Sequence, residues 1–395
     1  MNHQEINRLV ELAKLFLKLG VIGFGGPAAH IAMMEDEVVQ RRGWLTRSHF
    51  LDLIGATNLI PGPNSTEMAI HVGYSYGGWL GLIIAGVCFI LPAVSITAIF
   101  AWIYVEFGTL PEIAPLIYGI KPAVLAVIFG AVWRLGKKAV KSYKLLLIAL
   151  GVAASLLLGL NEVIALLLGG ILGMIWLRLS DRNQPPSETT AALLAAGVTA
   201  STALKATAAT GATAATIPLW QIGWFFLKVG SVLFGSGYVL VAFLEGELVQ
   251  KQGWLTQQQL LDAIAIGQFT PGPVLSTSTF IGYLLADWPG AIVATIAIFL
   301  PSFVFVAILN PLVPRLRESK WTSAFLDAVN ISAVALMAVV TLSLASTTLI
   351  QPTGIDWLAC AIAAIAAILT IRFPINAAWL VLGGALLGWV ITIAN

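Results

Sequence analysis

Apolar residues recur along the chain in runs of about 20, the length that spans a hydrocarbon core as a helix. In the first half these runs fall at roughly 13–34, 80–105, 115–133, 145–160 and 162–178; in the second they fall at 221–243, 289–309, 322–346, 355–371 and 374–392. Two further segments, 48–78 and 258–286, are split by Pro61-Gly62-Pro63 and Pro271-Gly272-Pro273. Each split leaves arms of about 12–15 residues, too short at 1.5 Å per residue to cross about 30 Å. The pattern predicts an all-α polytopic membrane protein with five transmembrane helices and one re-entrant Pro-Gly-Pro helical hairpin in each half.

The two halves are copies of one another. At a shift of 210 residues, Phe16-Leu17-Lys18 meets Phe226-Leu227-Lys228, and Gly43-Trp44-Leu45-Thr46 meets Gly253-Trp254-Leu255-Thr256. Of the 49 positions from 15 to 63, 21 are identical to their partners. Leu91-Pro92 and Leu300-Pro301 continue the match after a one-residue slip. Repeats of this kind predict a first unit at 1–182 and a second at 218–395, joined by an Ala/Thr-rich linker at 183–217. The linker carries Lys205 in its middle, and reads either as a connection or as a weak membrane helix.

Charge orients the halves. A basic cluster (Arg134, Lys137, Lys138, Lys141, Lys144) follows the 115–133 run, whereas the equivalent second-half loop, Ser346 to Asp356, has no Lys or Arg. The second half instead carries Arg315, Arg317 and Lys320 one loop earlier, where the first half has Glu106 and Glu112. Basic loops stay cytoplasmic, so corresponding loops lie on opposite sides and the halves are predicted to be inverted.

Composition narrows the class. Hydrophobic residues make up 58% and charged residues 10%, against about 25% charged in a soluble domain; mean hydropathy is +0.92. That excludes a soluble enzyme. With 21 basic and 19 acidic residues and no basic stripe, it also excludes a nucleic-acid binder. Cys88 and Cys360 lie in apolar runs and form neither a disulfide framework nor a metal cluster, and no nucleophile motif points to an enzyme. The first apolar run has Arg8, Glu11, Lys14 and Lys18 before or inside it and a Gly/Pro break, unlike a cleavable signal. No cofactor and no metal are expected.

Helices break at four matched places: Gly23–Pro27, Pro61–Pro63, Phe234–Gly237 and Pro271–Pro273. Matched breaks at membrane depth in inverted halves point to a transporter's substrate site. Residues after each Pro-Gly-Pro (Asn64, Ser65 and Thr66; Ser276 and Thr277) suit helix starts whose free N–H groups receive an anion. Gly25, Gly26, Gly235, Gly62 and Gly272 permit close backbone approach, and Asn58 and Gln268 supply amides beside Pro61 and Pro271. Lys18 and Lys228 either bind the anion or snorkel to the interface. Glu35, Glu37 and Arg41, with Glu245 and Glu247, form either an interfacial ion-pair network or a gate; Asp52 and Asp262 either cap helices or exchange protons. Glu67 and His71, four apart, read as a hydrogen-bonded pair or a weak metal site, and Lys121 as a cavity charge with Asn330 as its repeat partner.

Phe16 to Pro27, Glu35 to Thr46 and Asn58 to Pro63 together resemble the chromate ion transporter family in its long, two-domain form. The resemblance covers nearly the whole chain apart from the linker, with departures at Ser236-Gly237 for Gly26-Pro27 and Gly246 for Asp36. It implies a multi-pass protein of a bacterial or archaeal inner membrane that exports chromate, a sulfate-like tetrahedral dianion, and confers chromate resistance. Membrane potential, proton antiport or both would drive it. Sulfate uptake and an anion channel remain the alternatives, and a homodimer stays open.

Overall fold

The computed structural model describes residues 3–24, 26–107, 114–180, 217–234, 237–310, 320–351, 354–373 and 375–394. Gly25, Arg182, the linker with Lys205, Gly235, Ser236, Glu112, Arg315 and Arg317 lie outside the described residues.

Described residues are almost entirely helical. In the first half α1 is His3–Ile22, α2 is Pro27–Glu35, α3 is Arg47–Thr57, α4 is Asn64–Phe107, α5 is Ala114–Ala139, α6 is Tyr143–Leu157 and α7 is Glu162–Ser180. In the second, α8 is Leu219–Val232, α9 is Val239–Phe243, α10 is Gln257–Phe269, α11 is Thr277–Leu309, α12 is Lys320–Leu349, α13 is Trp357–Arg372 and α14 is Ala377–Ala394. A two-residue antiparallel ladder, β1 (Ile350–Gln351) with β2 (Gly354–Ile355), joins α12 to α13.

Among the described residues five helical segments are long and apolar enough to cross a membrane: Asn64–Phe107, Tyr118–Ala139, Glu162–Leu179, Val274–Leu309 and Trp321–Leu349. Tyr143–Leu157, Trp357–Arg372 and Ala377–Val390 are shorter apolar helices. The expected continuous spans 13–34 and 221–243 are each interrupted, because α1 stops at Ile22 and α8 at Val232. Gly26, at φ 82°, caps the restart at Pro27, whose missing N–H suits a first helical turn.

The repeat in sequence is a repeat in backbone. Both α2 and α9 run on into π-helical turns, Asp36–Arg41 and Leu244–Lys251. Trp44 N donates to Val38 O and Trp254 N to Leu248 O, each at 2.8 Å. Thr46 and Thr256 then cap α3 and α10 through their hydroxyls. The long helices fold back on themselves at equivalent points, α4 at Gly78 (φ 60°) and α11 at Ala286 and Asp287 (φ 48°).

The halves interlock. Helix α5 packs against α13 and α14, while α12 packs against α6 and α7. Gly119 and Gly384 let the backbones of α5 and α14 touch, since a side chain on either would overlap the carbonyl of the other. Lipid tails give helices no hydrophobic reason to associate, so close small-residue packing holds such contacts. Apolar side chains such as Trp79, Leu342 and Trp379 face outwards, while Glu67, Glu245 and Asp262 are buried.

Candidate functional site

The two Pro-Gly-Pro turns meet the opposite half's helix break. Gly62 N donates to Leu233 O and Gly272 N donates to Gly23 O, both at 2.7 Å. These four residues are two repeat-related pairs, so each half gives the other the same bond, the reciprocity of a two-fold contact. Gly62 (φ 147°) has no room for a side chain, which would overlap Glu67 Oε1 and crowd Ser302 Oγ.

Beside the first Pro-Gly-Pro turn lies a cavity of about 180 Å³, lined in part by Asn58, Asn64, Lys138, Lys141, Asp327 and Asn330. Asn64 Nδ2 donates to Asn58 Oδ1 at 2.8 Å, and Lys141 is paired with Asp327 at 2.6 Å. No ion pair is formed by Lys138 among the described residues. A second cavity, of about 260 Å³, is lined by Tyr118, Lys121, Gln257, Gln258, Thr347 and Thr348 among others. Four of its positions (Tyr118, Lys121, Thr347 and Thr348) repeat Asp327, Asn330, Lys138 and Ala139 of the first at a shift of 209. Both cavities are lined from both halves, and each holds a lysine of the first half and further hydrogen-bond donors.

Of the residues expected to bind substrate, Asn58 and Asn64 line the first cavity, next to Pro61, Gly62 and Ser65, which is buried. Gln268 is buried and accepts from Tyr238 Oη at 3.2 Å, while Ser276 Oγ is buried without a partner beside Pro271 and Gly272. Lys18 and Lys228 line neither cavity. Lys18 Nζ instead donates to Glu37 at 2.7 Å, and Lys228 to Glu247 at 2.6 Å, the same pair in each repeat. The lysines expected to bind anion and the glutamates expected to gate are thus one feature. Lys18, then Arg42, hold the Glu37 carboxyl below its usual range despite the opposing effect of burial.

The rest of the network differs between halves. Arg41 pairs with Asp36 at 2.8 Å and Glu35 with Arg47 at 3.3 Å. Glu245, buried, accepts from Gln250 at 2.8 Å and from Ser343 at 3.1 Å. Gly246 replaces Asp36 because Glu162 of α7 occupies the space that a side chain there would need. Asp52 is partly buried with a partner, and Asp262 accepts from Tyr104 Oη at 2.8 Å. Glu67 and His71 are not the bonded pair expected. Among the described residues Glu67 accepts only from Ser302 Oγ, at 3.5 Å, and neither ring nitrogen of His71 has a partner of good hydrogen-bond geometry, with the Asn310 side chain near the ring. No group of three or more metal-ligating side chains occurs among the described residues.

Lys138, Lys141 and Asn330 escaped the sequence reading as site residues. The lysines signalled only a cytoplasmic loop, and Asn330 only a partner of Lys121.

Helical content, outward apolar faces and buried polar residues define a multi-pass membrane protein. The chromate transporter family model matches residues 10–174 and 220–389, so the chain belongs to that family. A chromate transport protein of Cupriavidus metallidurans is 34% identical over 386 residues, covering 97% of this chain and 93% of its own. One from Pseudomonas aeruginosa is 31% identical, covering 96% and 92%. A probable chromate transport protein of Synechococcus elongatus is 34% identical, covering 84% and 83%. No solved structure matches the chain.

Proposed function

We propose that this protein is a secondary transporter that exports chromate across the inner membrane in two inverted repeats, 1–182 and 218–395, joined by the 183–217 linker. Relatives named as chromate transport proteins supply the substrate class. The observation that carries the site is the cavity beside the first Pro-Gly-Pro turn, lined by Asn58, Asn64, Lys138 and Lys141, together with the reciprocal Pro-Gly-Pro contacts.

Helix α3 has 11 residues, or roughly 16 Å at 1.5 Å per residue, about half a hydrocarbon core. Together with the stretch of α4 before Gly78 it makes a re-entrant hairpin, and α10 with the start of α11 makes its counterpart. Under inversion, the cavity with Lys138 and Lys141 opens to the cytoplasm and the one with Lys121 to the far side. Lysine and amide N–H groups suit a tetrahedral dianion, which accepts hydrogen bonds in every direction. The Pro-Gly-Pro contacts, the first of them beside the Lys138 cavity, form the barrier that opens to one side at a time. Outward movement of a dianion is favoured by about 2.3 kcal/mol per charge per 100 mV, so export needs no ATP.

Chromate flux into and out of vesicles containing the purified protein, at a set potential, tests this reading. Chromate should leave the negative compartment, with at least a tenfold weaker apparent affinity in Lys138→Ala and Asn58→Ala. Excess sulfate measures the selectivity. Absence of chromate flux at any potential defeats the oxyanion assignment, and movement only against the potential reverses the direction.

A further inference from the structure

Glu67 and His71 are fully buried, and the first is the only acid in the stretch of α4 before Gly78. Glu67 Oε2 has no hydrogen-bond partner, and no lysine or arginine pairs with the carboxyl among the described residues. Its other oxygen lies between the Gly62 turn and Ser302 of the opposite half. A buried carboxylate without a countercharge costs several kcal/mol, so this group rests neutral. One turn on, neither ring nitrogen of His71 meets a partner of good hydrogen-bond geometry among the described residues, and the Asn310 side chain lies close enough to engage one of them. A further turn on, exposed Ser75 Oγ donates to His71 O at 2.9 Å and meets exposed His49 Nε2 at 3.4 Å. Glu67, His71 and Ser75, each four apart, form one stripe from the Pro-Gly-Pro turn to the surface.

Other charged and titratable groups on the elements around this stretch have different partners. Tyr76 Oη donates to Glu11 with Arg8 over its ring, Lys18 is held by Glu37, and His30 bonds Gly23 O. Asp52 has its own partner, and Asp287 lies exposed at the α11 fold-back. Only His49 acts on His71 through its charge. The second repeat has nothing equivalent, with hydroxyls at Ser276 and Thr277 and Phe280 in place of His71.

We infer that Glu67 is a proton-exchange site built into the first repeat, with His71 relaying protons between it and the surface at Ser75 and His49. When the Gly62 turn separates from Leu233, water reaches the carboxyl. Its O–H bond then breaks, and the proton passes to one free nitrogen of His71 while the other nitrogen releases a proton towards Ser75. Before closure the carboxylate takes up a proton from that water and the His71 ring turns to restore its first tautomer, so each cycle carries one proton between the opened turn and the surface at Ser75. Transport of the oxyanion is thereby linked to proton movement on one side of the molecule only.

The inference rests on the oxyanion reading, and vesicles loaded with a trapped pH-sensitive dye separate the two. Net chromate flux in the wild type should shift the internal pH, in a way abolished by a protonophore. Glu67→Gln keeps the shape of the neutral carboxyl. It should retain chromate–chromate exchange within threefold while proton movement falls at least tenfold. His71→Phe, which copies the second repeat, should slow proton movement at least tenfold with exchange retained. Chromate flux without proton movement in the wild type overturns the inference but leaves the oxyanion reading standing. So does undiminished proton movement in either variant, and His71→Phe decides the matter should Glu67→Gln fail to fold. Loss of all chromate flux in the wild type removes both.

Discussion

Lys18 and Lys228 show what a charged residue does when its context is known. Each is matched by a carboxylate 19 residues on, and the two pairs differ in support. Glu37 also has Arg42 at 3.1 Å and Arg41 at 3.9 Å, whereas Lys251 and Gln252 stand at the repeat-related positions near Glu247. Removing a lysine strands a largely buried acid, so Lys228→Met should cost about 2 kcal/mol and Lys18→Met nearer about 1 kcal/mol. Thermal melting in detergent measures both, and adding Glu247→Gln to Lys228→Met should recover part of the loss. The folded pKa of Glu37 is lowered, so its contribution is complete above the unfolded carboxyl's value of about 4.3 and fades as pH falls through the lower folded value. Melting temperature should drop below about pH 4, and less steeply in Lys18→Met. A different residue-scale test sits at Asp287, which adopts φ 48° where the first repeat has Gly78 at φ 60°. Asp287→Gly should stabilise the fold by about 1 kcal/mol, since only glycine enters this region without strain.

Elements were legible where the cause is local. Clustered proline and glycine interrupt helices at Gly23–Pro27 and Pro61–Pro63, whereas single prolines such as Pro92 and Pro122 lie inside α4 and α5. Thr46 and Thr256 begin α3 and α10 because a threonine oxygen accepts from the free N–H three residues on. The fold-backs inside α4 and α11 fall where the predicted segments change over, at 78–80 and 286–289, marked by Gly77-Gly78 and by Asp287 with Pro289. The exchange of helices between halves was not legible. It rests on contacts such as Gly119 with Gly384, distant in sequence and unmarked by any motif. Gly119→Val should lower stability by about 2 kcal/mol, whereas Gly383→Val, next to open space, should be near neutral.

At the scale of the molecule, inversion is a statement about the membrane and is tested there. The α5–α6 and α12–α13 connections hold equivalent places in the two repeats. In a Cys88→Ser, Cys360→Ser background, Ile355→Cys should react with an impermeant maleimide in intact cells, and Val140→Cys only after permeabilisation. Both side chains are exposed, at 51% and 42%. Labelling of both from one side would make the repeats parallel and put the two cavities on the same face. The first cavity combines α4, α5, α9 and α12 with Asn58 and Ile60, and the second combines α5, α10, α12 and α13. Each needs both halves, so neither was visible in either repeat alone.

By itself the sequence determined the class, most of the helical spans and the matched Pro-Gly-Pro breaks. All of these follow from hydropathy, from proline and glycine, and from comparing the chain with itself. Tertiary structure decided the partnerships: lysines closed on glutamates rather than facing a cavity, Lys138 brought beside Asn58, and Glu67 left buried and unpaired. The physical reason is range. Backbone preferences act over a few residues, whereas the neighbours of a buried charge come from helices that pack together only when the whole chain has folded.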